Sequence, residues 1–481
     1  MLTRLQIFGF KNLVNVDIRL GPFSCIAGAN GVGKSNVFDA IHFLSLLANK
    51  PIHEAAAFVR DESGRPSDAR SLFHIGPNGP VAEMRFVAEM IVPTTAFDDF
   101  NQKAEATNTF LKYELTLRWA QEGNTGRISI AGESLMHIPR SEAKSRLGFD
   151  YSKEWEKKVL TGRRTVPYLS TSRNEQGTLI INRHQDGGSS GKPQPLPADN
   201  LPRTLLSRSD AFEAPTALCA RREMESWIQL QLEPSSLRLA DNFSSSSELS
   251  ANGAHLPATL YRLTTAPNAD PDAVLQGLAN RLRELVPEIR GVRVEKDEKR
   301  ELLTLKASLR DGTEHEARSL SDGTLRFLAL TVLEADTEFQ GVVCFEEPEN
   351  GIYPERLPSI IRLLREIAVD PMEPADETNP LRQVIINTHS PAVVLQVPED
   401  SLLIARGVDD LSTKPHGRAF QIVCLDSTWR SDRCDPPMKS ITQGSLNAYF
   451  NPVEESEFVE FRRVVDRDGA QYLFSKDFGK K

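Results

Sequence analysis

Eight residues near the N-terminus, Gly28-Ala29-Asn30-Gly31-Val32-Gly33-Lys34-Ser35, follow the pattern G-x-x-x-x-G-K-[ST]. Glycines let the backbone turn so that successive N–H groups point at phosphate oxygens. Lys34 supplies a point charge for the β/γ-phosphates, and the Ser35 hydroxyl is a ligand for Mg²⁺. Gly28, Asn30, Gly31, Gly33, Lys34, Ser35 and Asn36 are the nucleotide-binding candidates.

Three further clusters could do chemistry on that phosphate. In Val342-Val343-Cys344-Phe345-Glu346-Glu347-Pro348-Glu349-Asn350 an apolar run ends in adjacent carboxylates. Buried runs rarely end so without a cation to hold or a proton to move. Glu346, with Ser35, is the metal-binding candidate, and Glu347 the general base for an attacking water. In Asn387-Thr388-His389-Ser390 a histidine again follows an apolar run (Val384-Ile385-Ile386), where it could bond a γ-phosphate and report its loss. In Leu320-Ser321-Asp322-Gly323-Thr324, Ser321 and Gly323 open a helical pattern. Local physics reads that element as a helix cap with anion-binding capacity.

These clusters need a scaffold, and the pattern supplies one. Residues 2–9 and 13–20 alternate apolar and polar side chains, predicting a strand pair. Residues 23–27 predict a buried strand, and Val37, Ile41, Leu44, Leu47 and Ala48 share one helical face after the glycine turn. Residues 81–92 and 111–119 predict strands of a second sheet. Helices are expected near 272–285, 320–336 and 354–368, with strands at 291–297, 301–309, 341–345, 382–387 and 401–405. Short apolar strands separated by helices predict an α/β fold with parallel pairing. The segment from about 140 to 285 alternates charged helical stretches with loops, including 185–200. No heptad pattern persists, so a long coiled-coil arm is not expected. The expected division is 1–140, an N-terminal ATPase part; 141–287, a largely helical lid or insertion; 288–407, a C-terminal ATPase part; and 408–481, an extension.

Taken in order, these motifs resemble those of the ABC-type ATPase superfamily of RecF, SMC-like heads and the small ATPases of bacterial antiphage systems. The similarity lies in LQIFGFKNL…CIAGANGVGKSNVFDAI, LSDGTLRFLAL, FEEPENGIYP and INTHSP, over about 1–50 and 300–405. It implies an ABC-type head with mixed β-sheets that takes ATP and Mg²⁺. Glu347 would be the catalytic carboxylate and His389 the switch histidine. Ser321 and Gly323 would reach the γ-phosphate on the other protomer, and Asn350 and Gly351 would let two sites sense each other. The protein would then be a homodimer, or a higher oligomer of dimers, joined head to tail around ATP. Three departures stand out. Position 346 is Glu rather than Asp, Asp322 and Thr324 replace Gly and Gln, and no glutamine is identifiable for the loop that links Mg²⁺ to the middle region.

Composition narrows the rest. A net charge of −9 over 481 residues argues against a broadly basic surface, although Arg163, Arg164, Arg203, Arg208, Arg221 and Arg222 could line a local groove for nucleic acid. Five cysteines without a C-x-x-C pair predict neither a disulfide framework nor a zinc site, and fit a reducing cytoplasm. No run approaches the length of a membrane span. Asp409, Asp410 and Asp426 do not form a two-metal nuclease site, and His416 is isolated. The expectation is therefore a sensor or regulatory ATPase of antiphage defence, similar to those of Septu and PARIS, working with a separate nuclease or toxin. Its lid would include 249–263. The alternatives are a RecF-like DNA-repair ATPase and a non-hydrolysing scaffold.

Overall fold

Alternation along the first strand pair has its expected consequence. Strand Leu2–Phe10 pairs antiparallel with Leu13–Arg19, and its other edge pairs with Glu83–Ile91, Leu5 facing Ala88. The strands foreseen at 81–92 and 111–119 thus join the N-terminal pair in one sheet instead of forming their own. Phe110–Glu122, Thr125–His137, Leu169–Arg173, Leu179–Arg183 and Gln194–Pro197 extend it to eight strands. This is a computed structural model, and it describes residues 1–59, 69–76, 79–122, 125–162, 166–186, 192–198, 201–267, 269–410, 417–444 and 446.

Six strands of the second sheet run, in spatial order, Ile228–Leu230, Gly341–Glu346, Arg382–Thr388, Phe23–Ala27, Leu402–Asp410, Gly417–Leu425. The first five are parallel and the last is antiparallel. Its central strands are buried along their length, as sheets covered on both faces require. Helix Lys34–Leu47 packs between the sheets, with Val37, Ile41, Leu44, Leu47 and Ala48 all buried. Its Phe43 stacks on Phe10 at 6.0 Å and meets Phe86 edge-on at 5.9 Å, so the phosphate-loop helix is fixed directly to the antiparallel sheet. A smaller sheet, built chiefly from Ile289–Asp297 and Leu302–Leu309, lies beside helices Leu256–Thr265 and Pro271–Leu285, which pack in turn on Asp322–Ala335.

The segment 141–287 holds helices, as expected, but also strands. Leu169–Arg173, Leu179–Arg183 and Gln194–Pro197 lengthen the first sheet, and Ile228–Leu230 edges the second. These runs are three to five residues long, too short for a period-two signal to emerge. Gln194–Pro197 falls inside the stretch read as loop. Likewise, Leu402–Asp410 and Gly417–Leu425 carry the sheet past residue 407. The longest helix among the described residues, Pro271–Leu285, has 15 residues, in keeping with the absence of a coiled-coil arm. The five cysteines are free and buried. No described helix is long and apolar enough to cross a membrane. Residues Met1–Ser440 form one compact unit, and a second unit begins at Ile441.

Candidate nucleotide site

Register in the parallel sheet brings the motifs together. Asn387 pairs with Ile26 and Glu346, and Thr388 with Ala27, so the phosphate loop, Glu347 and His389 all leave the C-terminal ends of neighbouring strands. Open α/β sheets bind ligands at that edge.

The loop is held open by small residues. Gly33, with φ of 114°, precedes helix Lys34–Leu47, which has no side-chain cap and no acidic residue in its first turn. The positive helix end therefore faces the loop uncompensated. A Cβ on Gly33 would sit 2.2 Å from the Asn12 amide. Asn12 itself braces the loop. Its Nδ2 donates to the Val32 carbonyl at 2.9 Å, and its Oδ1 accepts from Asn36 Nδ2 at 2.7 Å. Gly33→Ala is expected to displace this brace and force a strained backbone, weakening ATP binding at least about tenfold while the fold persists. Titration calorimetry with ATP and a thermal melt would separate the two effects.

Ala29, Asn30 and Gly31 are exposed, ready for a ligand, while Lys34 is buried. Its Nζ donates to the Gly28 and Ala29 carbonyls at 2.7 and 2.9 Å. Burial lowers the Lys34 pKa, and the carboxylates of Glu347, Glu349 and Glu346 push back toward the charged form. Ser35 Oγ donates to Glu346 Oε2 at 3.2 Å. A hydroxyl and a carboxylate at this separation fit Mg²⁺, which takes few protein ligands and completes its shell with phosphate and water oxygens.

Glu347 occupies left-handed backbone, φ 47°, uncommon for a residue with a side chain. Its N–H is tied to the Asn387 carbonyl at 3.0 Å. Its Oε1 lies 3.0 Å from His389 Nδ1, and its Oε2 accepts from Asn350 Nδ2 at 2.7 Å. Strain of this kind is kept where the surroundings over-determine it. Glu349 is a member that sequence reasoning missed. It accepts from Thr388 Oγ1 at 2.6 Å, and its Oε2 is buried without a partner. A third carboxylate two residues beyond the pair was the available signal.

The other missed residue is Gln229, whose Nε2 donates to Glu346 Oε1 at 3.0 Å. It belongs to the strand beside Gly341–Glu346, facing Cys344 in register. No glutamine near the metal-side carboxylate is identifiable from the sequence, and the three-residue strand that carries Gln229 explains why.

The signature-like element is a true helix cap. Ser321 Oγ accepts from the Thr324 N–H at 3.2 Å. Gly323 abuts the Asn350–Gly351 loop, since a Cβ there would be 3.0 Å from the Gly351 carbonyl oxygen. Arg326 Nη1 donates to the Asn350 carbonyl at 2.6 Å. Asp322, the odd carboxylate, is met by Arg238 at 2.5 Å. Of the arginines considered for nucleic acid, Arg221 and Arg222 are both engaged by Asp99 and Glu225. Arg203 Nη1 donates to the Asn49 carbonyl, Arg208 is exposed, and Arg163 and Arg164 lie outside the described residues, as does His416.

Parts of the chain are similar to known proteins. A stretch of 67 residues is 45% identical to the DNA replication and repair protein RecF of Salmonella paratyphi B and of Salmonella newport, covering 12% of this chain and 19% of theirs. The match thus spans about a fifth of the RecF chain. Among solved structures, an SMC head bound to the C-winged helix domain of ScpA covers 88% of this chain and 98% of its own at 14% identity, with a TM-score of 0.46. The SMC head domain from Thermotoga maritima covers 88% and 99% at 12% identity, with a TM-score of 0.38. The fold itself is a mixed α/β arrangement of antiparallel and largely parallel sheets. The family described as "AAA domain, putative AbiEii toxin, Type IV TA system" matches residues 23–175 and 231–395, more than half of the chain, and this protein belongs to it.

Proposed function

We propose that this chain binds ATP with Mg²⁺ and hydrolyses it at sites completed by a second copy, and that it regulates a separate effector. The observation that carries hydrolysis is Glu347. A carboxylate held in left-handed backbone between His389 and Asn350, beside the phosphate loop, is poised to accept a proton from water. Mg²⁺ would be held by Ser35 and Glu346, with Gln229 orienting the carboxylate, and would screen phosphate charge. His389 shares its Nδ1 with the Glu347 carboxylate and can shift that contact as the γ-phosphate leaves.

Pairing is supported by the position of Ser321 and Gly323 at the open end of a 14-residue helix, against the Asn350–Gly351 loop. Mixing Ser321→Arg with Glu347→Gln tests it. Each variant alone would be inactive. Half of random pairs would be mixed, each with one intact site, returning about a quarter of the wild-type rate. No recovery would rule out head-to-tail sites.

A separate nuclease or toxin effector and a setting in antiphage defence rest on the resemblance of the motifs to small antiphage ATPases; the family description itself names a putative toxin of a type IV toxin–antitoxin system. Purification of the tagged chain from its native host, with and without ATP, would show whether a separate nuclease or toxin comes with it. Direct DNA binding through Arg221 and Arg222 is disfavoured, because both guanidiniums already face carboxylates.

A further inference from the structure

Asp322 sits between the two residues proposed to receive a partner's γ-phosphate. At the first position of helix Asp322–Ala335 it suits the helix dipole, but it also adds a negative charge where a triphosphate must dock. Like charges at hydrogen-bond range would oppose that docking.

The chain answers this with Arg238, which follows the one-turn helix Pro234–Leu237. Its Nη2 donates to Asp322 Oδ1 at 2.5 Å and to the Leu320 carbonyl at 3.1 Å, straddling Ser321. Both side chains are partly exposed, 29% for Arg238 and 53% for Asp322. Such a pair contributes little to stability, because solvent screens it and ordering two side chains costs entropy. Its value must lie elsewhere than in holding the fold. One nitrogen, Nη2, serves both acceptors, so the contact depends on the cation more than on the shape of the guanidinium.

We propose that Arg238 is a positioning residue for ATP bound to the second copy: it cancels the Asp322 charge and fixes the turn, so that Ser321 and Gly323 can accept the triphosphate. This rests on the head-to-tail pairing proposed above. Arg238 then acts in trans and through Asp322, and Asp322 becomes tolerable only because Arg238 is present.

The test is a charge-swap series read by ATP-dependent pairing and by turnover. Arg238→Ala is expected to lower kcat/KM for ATP about tenfold or more, and Asp322→Asn to leave it within about threefold. Adding Asp322→Asn to Arg238→Ala should restore the rate to within about threefold of wild type, a rescue that a purely structural arginine would not show. Arg238→Lys, which keeps the cation, should stay near wild type and guards against misfolding of the alanine variant. Mixing Arg238→Ala with Glu347→Gln should regain activity as the Ser321→Arg mixture does. A double variant as impaired as Arg238→Ala overturns the proposal, as does an Arg238→Ala variant with unchanged turnover. Recovery in the Ser321→Arg mixture without recovery in the Arg238→Ala mixture removes the trans role of Arg238 and leaves pairing intact. Failure of both mixtures removes the pairing itself.

Discussion

Replacing Glu347 with Gln is expected to lower the ATP turnover rate by about two to four orders of magnitude, the usual contribution of a positioned general base. The substitution is nearly isosteric. The Gln carbonyl can still accept from Asn350 Nδ2, and its amide can meet His389 Nδ1 with the opposite hydrogen-bond polarity. The strained backbone at φ 47° is unaffected in kind, since Gln and Glu share the same Cβ. What disappears is basicity and one negative charge next to a triphosphate. ATP affinity should therefore hold or rise. Copies paired around unhydrolysed ATP should accumulate, visible as a doubled mass by light scattering after size-exclusion chromatography. A turnover rate within tenfold of wild type would show that the water is activated by another group, and Glu349, with its unpartnered buried oxygen, would be the first to examine.

The second large effect is expected at Lys34. Replaced by Ala, the loop loses the one side-chain cation that the structure buries within it. Glu346, Glu347 and Glu349 all act on that ammonium, so its removal leaves three carboxylates facing the phosphates without it. ATP affinity should fall about a hundredfold or more, near 3 kcal/mol. The ligand-free protein should melt close to wild type, because burial already disfavours the ammonium. Ligand at a hundred times its Kd stabilises a fold by about 2.7 kcal/mol, so wild type should show a clear rise in Tm with ATP-Mg²⁺ and the variant none. A rise of equal size in the variant would mean that nucleotide binds elsewhere.

Much of this site was legible because its parts are local. Phosphate loop, paired carboxylates and histidine each follow an apolar run, and strand–turn chemistry is written in consecutive residues. The parts that stayed hidden depend on contacts between residues far apart in sequence. Gln229 meets Glu346 across 117 positions, and Arg238 meets Asp322 across 84. Neither residue type nor spacing announces such a meeting. The fold followed the same division. Val37, Ile41, Leu44 and Leu47 showed the buried helix face directly. By contrast, Gln194–Pro197 owes its strand conformation to the sheet edge that it extends, and its own composition reads as loop.

One stretch of chain has a wider consequence. Gln229 grips the carboxylate of Glu346 beside the phosphate loop, and Arg238, just beyond it, grips the turn proposed to meet the other copy. In a two-fold pair these contacts would join end to end into a closed circuit, from the first loop to the second and back again. A closed circuit has no upstream end. Nothing in the architecture would then rank one site before the other, and only the order in which nucleotides arrive or are spent could break the tie.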